Sequence, residues 1–303
     1  VQAGRAVEAA DVFLAAAEGA DATTRLDCRR KAAEHLLATG QVERGRETLR
    51  VVLAEFDIEL PATPRRALAS LLWHRLRLRL RGYGFSPRDA GEVSPRVLAL
   101  IDIYRAVGAG LGMVDTLQGA DFQARGLVLA LRTGEPARVA RALGLEASFQ
   151  ATQGPRAHAR ARELIQRMRG LIGDKGDATL RAWADGSESI VRYLLGDLLV
   201  AVELSESAER IIREETTGMS WELNTVRIFR GLALRWAGLL GKLRRTCDDN
   251  VRDAARRGDR YAEATLRRVA NIVWLARDNP AEAEVDLDRQ PWRAPEGGYH
   301  MQN

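Results

Sequence analysis

Arginine is the residue type through which this chain could bind a charged ligand. All but three of its 46 basic residues are arginine, against 41 acidic residues, and the formal net charge is +5. Helical segments concentrate these side chains, and arginines four residues apart share one helix face. Such a face binds an acidic peptide, a phosphorylated segment or nucleic acid. We predict a partner-binding basic surface that comprises Arg156, Arg160, Arg167, Arg227, Arg230, Arg252 and Arg256.

The charge excess by itself is weak evidence for nucleic-acid binding. Five charges are few for 303 residues, and aromatic residues do not alternate with the arginines as they do where bases of single strands are stacked. The same arginines also fit a solvated face that pairs with Asp and Glu of neighbouring helices. A nucleic-acid-binding protein that uses the Arg-rich helices is therefore the alternative to a protein or peptide binder.

Residues arranged for catalysis are not found in the sequence. It contains no protein-kinase motif and no Gly-x-x-x-x-Gly-Lys-Ser/Thr loop. The glycine cluster at 108–112 follows a helical pattern rather than a strand, which favours a helix–helix connection over a phosphate loop. The four histidines are far apart, and neither cysteine lies beside one. We predict no catalytic residue, cofactor or metal. An enzyme with an unfamiliar all-α site is a third hypothesis, which requires a deep polar pocket with strongly shifted pKa values.

The elements that position these arginines are predicted to be helices throughout. The chain is 46% hydrophobic, and apolar residues recur at three- and four-residue spacing. Segment 76–81 alternates Leu and Arg as a strand would, but the helical spacing around it favours a helix. Tryptophans within helices are expected to pack in the core. The predicted helices are 3–18, 23–39, 42–56, 63–81, 94–109, 115–133, 135–151, 155–172, 177–195, 197–215, 220–237, 240–257, 260–276 and 280–290.

Short connections make neighbouring helices antiparallel hairpins, and glycine recurs at these connections. Five residues after a glycine, or after Asp278 in the last unit, comes a position expected to hold a small residue, and two of its five residues, Val139 and Leu243, are not small. This resembles the turn of a tetratricopeptide repeat, where a small residue lets the two helices approach. The residues assigned to these turns are Gly40, Gly45, Gly134, Gly196, Ala201 and Gly238.

Several longer segments carry a likeness that extends from about residue 25 to 300. They are 33–37, 60–73, 77–82, 119–125, 131–136 and 218–225. Together they resemble the C-terminal helical-repeat region of large bacterial serine/threonine protein kinases of the myxobacterial type. This resemblance implies tetratricopeptide-like repeats, and it implies that a kinase domain and an ATPase-like segment precede them in a longer protein.

The sequence therefore predicts an all-α fold, an α-solenoid of antiparallel helix hairpins that resembles tetratricopeptide repeats, with about fourteen helices. We expect one continuous domain over 1–290, with a soft division near 82–93, and a poorly ordered or truncated tail over 291–303. The predicted function is a non-catalytic scaffold or sensor that binds a protein or peptide, or other domains of the same polypeptide. No apolar run is long enough to span a bilayer, and we predict a cytoplasmic protein.

Overall fold

Several helices of this chain begin where a short polar side chain caps the first turn. Thr63 accepts a hydrogen bond from the backbone N–H of Arg66, and Pro64 follows it at the first helical position. Asn279 accepts in the same way at the last helix, ahead of Pro280. Local sequence thus determines where these helices start.

The computed structural model describes residues 6–39, 41–112, 115–173 and 176–291. The described residues form α-helices, two short 3₁₀ turns and no strand. The predicted all-α class is confirmed. The helices are α1 (Ala6–Glu18), α2 (Ala22–Ala38), α3 (Val42–Ala54), α4 (Pro64–Arg81), α5 (Pro95–Gly112), α6 (Thr116–Thr133), α7 (Pro136–Ala151), α8 (His158–Ile172), α9 (Ala178–Leu195), α10 (Leu198–Glu215), α11 (Ser220–Trp236), α12 (Leu240–Arg256), α13 (Arg260–Ala270), α14 (Ile272–Leu275) and α15 (Pro280–Asp288).

These helices form two layers of a solenoid. We call α2, α5, α7, α9, α11 and α13 the inner helices, because each contacts the next in this series. The outer helices α3, α6, α8, α10 and α12 each contact the two inner helices that adjoin them in the chain. Neighbouring pairs such as α9 and α10, joined by two residues, must run antiparallel. Stacked hairpins of this kind bury a continuous core that no single hairpin could bury alone.

Helix α4 is an addition to this alternation. It packs on the outer helix α6 and has no comparable contact with an inner helix. The connection over 82–93 then returns the chain to α5. Its Tyr83 and Phe85 pack on a core cluster that extends from Leu78 to Val191. The core is therefore continuous across the segment where the sequence predicted a soft division.

The turn positions adopt the left-handed backbone that the sequence pattern requires. Gly134, Gly196 and Gly238 have φ of 84°, 89° and 72°, and Asp278 has φ of 54°. Gly134 nevertheless joins an outer helix to an inner one, whereas Gly196 and Gly238 join inner to outer. The predicted unit at Gly134 therefore has the opposite sense from the other two. Gly40 lies outside the described residues.

The residues five positions after each turn are all buried. They are Gly45, Val139, Ala201, Leu243 and Ala283. A Cβ at Gly45 would lie 2.7 Å from Cγ of Leu37, so that α2 and α3 approach more closely there than a side chain allows. The residue at this position is thus buried at each of these turns, but only some of the turns require a small side chain there.

Some predicted element bounds were wrong. The helix predicted over 260–276 breaks at Asn271, whose side-chain amide donates to the carbonyl oxygen of Ala283 at 2.9 Å. Helix α11 starts at Ser220 as predicted, although Met219 precedes it and no side chain caps its first turn. Local capping signals could not predict the break at Asn271, because the hydrogen bond that accompanies it is made to Ala283 of α15.

Candidate functional site

The inner helices line two adjoining clefts. One, the apolar cleft, has a volume of about 610 Å³ and is bordered by α5, α7, α9, α11 and α13. The other, the polar cleft, has a volume of about 810 Å³ and lies between α1, α2, α5 and the start of α11. Both include Ala109 and Trp221 in their walls. One concave surface therefore offers apolar and charged groups side by side.

Aromatic rings form much of the apolar cleft. Phe149, Tyr193, Trp221 and Phe229 come from three successive inner helices. Tyr193 and Phe229 meet edge to face, with ring centroids 5.5 Å apart. Aliphatic side chains complete the wall, and they are Leu145, Ile190, Leu194, Ile228, Leu232 and Val269. An apolar ligand side chain would lose its contact with water here.

Glycines of α5 determine how closely this wall approaches its neighbours. A Cβ at Gly119 of α6 would lie 2.6 Å from Cα of Gly112, and one at Gly110 would lie 2.6 Å from a methyl carbon of Leu37. The cluster at 108–112 was predicted to be a connection, and this prediction was wrong, because α5 continues to Gly112. Close crossing with α6 and α2 explains the glycines without a phosphate ligand.

Arg105 of α5 joins the two ends of the polar cleft. Its guanidinium lies 3.1 Å from the Glu34 carboxylate of α2 and 4.0 Å from that of Glu222 on α11. Burial raises the pKa of Glu222, and the Arg105 charge opposes this shift. The solenoid thus curves far enough to bring its second and eleventh helices to one arginine.

Arg141 of α7 lies near this cluster without an ion pair or hydrogen bond to any described residue. Burial lowers its pKa, as does the neighbouring charge of Arg105, while Asp102 acts in the opposite direction. Arg141 lines neither cleft and borders a narrow pocket with Asp102 and Arg138 instead.

The predicted basic surface is divided between separate outer helices. Arg156 is exposed in the 3₁₀ turn before α8 and Arg160 in the first turn of α8, and Arg252 and Arg256 are exposed on α12. Helix α10 lies between these two in the outer layer. Contacts of these arginines within the protein also reduce the positive charge that is available to a partner. Arg160 stacks 4.8 Å from the ring centre of Tyr83, Arg167 pairs with Glu163 at 2.9 Å, and Arg252 pairs with Asp249 at 2.6 Å.

Arg227 and Arg230 are not part of any surface. Their side chains are only 2% and 9% exposed, and both pair with Glu209 at 2.8 Å. Arg227 also pairs with Asp253 at 2.6 Å. These arginines hold α10, α11 and α12 together, so their prediction as partner-binding residues was wrong. Helical spacing does not show that Glu209 of the preceding helix faces both of them.

Reasoning from the sequence missed the cleft residues themselves. Trp221 and Glu222 lie in the segment 218–225 used for the family resemblance, but no local motif assigns them a ligand. Tyr193 and Phe229 read as ordinary helix residues. These residues are far apart in sequence. Their shared position in one cleft can therefore be recognised only once it is known which helices form the inner layer.

Within the described part of the chain, no group of three or more His, Cys, Asp or Glu residues could hold a metal ion. Nor is any described helix long and apolar enough to cross a membrane.

No protein-family model and no curated protein matches this chain.

Proposed function

We propose that the chain is a non-catalytic binding module whose concave face takes a peptide segment of a protein partner. The observation that carries this proposal is the apolar cleft with four aromatic rings beside the charged polar cleft. A peptide would place aliphatic or aromatic side chains among Phe149, Tyr193 and Phe229. Its polar groups would face Arg105 and Glu222 in the polar cleft. A few apolar anchors beside fixed charges are typical of peptide recognition.

The wider context of this proposal comes from the family resemblance. A repeat region of a multidomain serine/threonine kinase would recruit or sense a partner and transmit binding to other domains. A tetratricopeptide-like stack suits that role, because its inner helices present a long and mostly rigid surface.

Nucleic-acid binding has less support as the alternative. Of the seven predicted arginines, five are exposed on or beside the outer helices α8 and α12, where Arg167 and Arg252 are paired with carboxylates, and the other two are buried. The apolar cleft is lined mainly by apolar groups that do not bind phosphates, and the cations of the polar cleft share it with the carboxylates of Glu34 and Glu222.

A display library of short random peptides, selected on the whole chain, tests the proposal. The discriminating variant is Ala109→Trp, which fills the boundary of both clefts, and its matched control is Ala255→Trp on the exposed face of α12. We expect selected peptides rich in apolar residues. Their affinity should fall about tenfold or more in A109W and stay unchanged in A255W, with weak dependence on salt, since burial of apolar surface supplies the free energy.

Selection that yields only peptides insensitive to A109W contradicts a peptide site in the clefts. Binding of a single-stranded oligonucleotide that weakens steeply with salt, equally in both variants, would support the nucleic-acid alternative instead.

A further inference from the structure

Helix α4 exposes an apolar face that the solenoid does not cover. Its opposite face packs on α6, with Ala67 and Leu78 buried. Ser70 donates a hydrogen bond to the buried carboxylate of Asp121 at 2.8 Å, which fixes the rotation of α4 on α6. The outward face carries five large apolar side chains, which are Leu68, Leu72, Trp73, Leu76 and Leu80, exposed by 46%, 60%, 58%, 47% and 79%. Trp73 was expected in the core, and this expectation was wrong.

The four exposed leucines form one ridge. They follow each other at intervals of four residues over 68–80, a length of about 18 Å at 1.5 Å per residue. Ridges made of residues four apart are the surfaces that pack into the grooves of a second helix. The ridge is three turns long and one side chain wide, with Trp73 beside it. Its shape therefore fits one helix of similar length.

The positive charge of α4 restricts which kind of helix could bind to the ridge. Helix α4 contains six arginines and no acidic residue. Arg65, Arg66, Arg77 and Arg79 form no ion pair or hydrogen bond with a described side chain. Helical geometry places Arg77 and Arg79 on opposite sides of the ridge near Leu80. These four cations are available to carboxylates at the edges of an occupant.

A second copy of α4 would bring arginine against arginine in either orientation, which is unfavourable. Nucleic acid could pair with the arginines but would leave the leucine ridge in water. An acidic amphipathic helix satisfies both features, because its apolar stripe covers the ridge and its Asp or Glu residues reach the flanking arginines.

We propose that the outward face of α4 docks an amphipathic helix of a partner protein, with acidic residues on both sides of its apolar stripe. This site lies on the outer side of α6 and is separate from the clefts of the inner helices. The chain would then bind two partners, or two parts of one partner, at different places.

The test uses the whole chain and two labelled peptides of about 21 residues, long enough to form helix on contact. Both carry the same leucine stripe, with Glu on its flanks in one and Lys in the other. Fluorescence anisotropy should show that the Glu peptide binds about tenfold more tightly than the Lys peptide. The preference should reverse in Arg77→Glu/Arg79→Glu.

The variant Leu72→Ser/Leu76→Ser should lose Glu-peptide binding by about tenfold or more, because it removes the apolar contact. Leu199→Ser/Val200→Ser, at exposed positions of α10, is its matched control and should bind as the unmodified chain does. All substituted leucines are exposed, so circular dichroism should show an unchanged fold in both variants.

Equal affinity for the two peptides, or binding unaffected by L72S/L76S, would overturn the proposal. Binding to a membrane would also overturn it. In that case the Glu peptide fails to bind, and the chain sediments with vesicles of phosphatidylcholine and phosphatidylserine unless it carries L72S/L76S. A dimer in light scattering that the same variant dissolves would identify a second copy as the occupant instead.

Discussion

The role of a side chain in this protein depends on the residues that it contacts more than on its residue type. Arg227 and Arg256 are both helical arginines, yet the first is enclosed by Glu209 and Asp253 and the second faces water. Burying a charge is unfavourable unless an opposite charge and hydrogen bonds compensate it. Glu209 therefore has a structural role that its exposed neighbour Glu214 does not share.

Replacing Glu209 by Gln should strongly destabilise the chain. The change leaves Arg227 and Arg230 buried with no full counter-charge on α10, and breaking a buried pair costs about 3–5 kcal/mol. Urea unfolding measures the loss. Glu214→Gln, exposed on the same helix, is the control and should change the free energy of unfolding by less than about 0.5 kcal/mol. Equal effects of the two variants would contradict a structural role for Glu209.

At the scale of elements, the crossing of α5 and α6 depends on the absence of side chains. Gly108, Gly112 and Gly119 bring the two backbones close, with a Cβ at Gly119 reaching 2.6 Å from Cα of Gly112. Ordinary helix propensity would favour alanine at each of them by about 1 kcal/mol. Packing therefore opposes local preference here, which is why the sequence pattern at 108–112 predicted a connection.

Gly119→Ala and Gly170→Ala should have opposite effects on stability. The first places a methyl group against backbone that cannot move aside, so we expect a lower free energy of unfolding, by about 1–3 kcal/mol. The second, on an exposed face of α8 with no atom near its Cβ, should raise it by up to about 1 kcal/mol. Thermal unfolding of both variants measures the difference, and stabilisation by Gly119→Ala would show that the crossing can relax.

The curvature of the whole molecule brings charged groups from distant parts of the chain together. Arg105 meets Glu34 and Glu222, which are 188 residues apart in sequence. Burial of Glu222 raises its pKa, so its carboxylate is less stable in the folded chain than in the unfolded chain. The contact that closes the polar cleft is therefore tolerated at a cost in stability.

Glu222→Gln should for this reason stabilise the protein at neutral pH. A raised folded pKa means that the native chain loses stability, relative to the variant, as pH rises through the ordinary glutamate pKa of about 4.3 and up to the folded value. Below about pH 4 the two proteins should be equally stable in this respect. Chemical unfolding across this pH range tests the sign. A variant less stable than the native chain at pH 7 would show that the attraction to Arg105 outweighs burial.

Much of the fold was predictable from the sequence. Helix formers, caps and left-handed turn positions act within a few residues, so most helix bounds and the turns at Gly196 and Gly238 follow from local sequence. The break at Asn271 was not predictable in this way, because its cause is a hydrogen bond to Ala283, twelve residues further on.

The candidate site could not be obtained from the sequence alone. The amino-acid sequence by itself determined that the chain is helical and where most hairpins turn, because those preferences are local. Only the tertiary structure decided that Arg227 and Arg230 are buried, that rings from α7, α9 and α11 share one cleft, and that the leucine ridge of α4 faces outward. Each of these features depends on which helix faces meet when the hairpins stack. The residues that meet are far apart in the chain, so no fixed sequence spacing marks them.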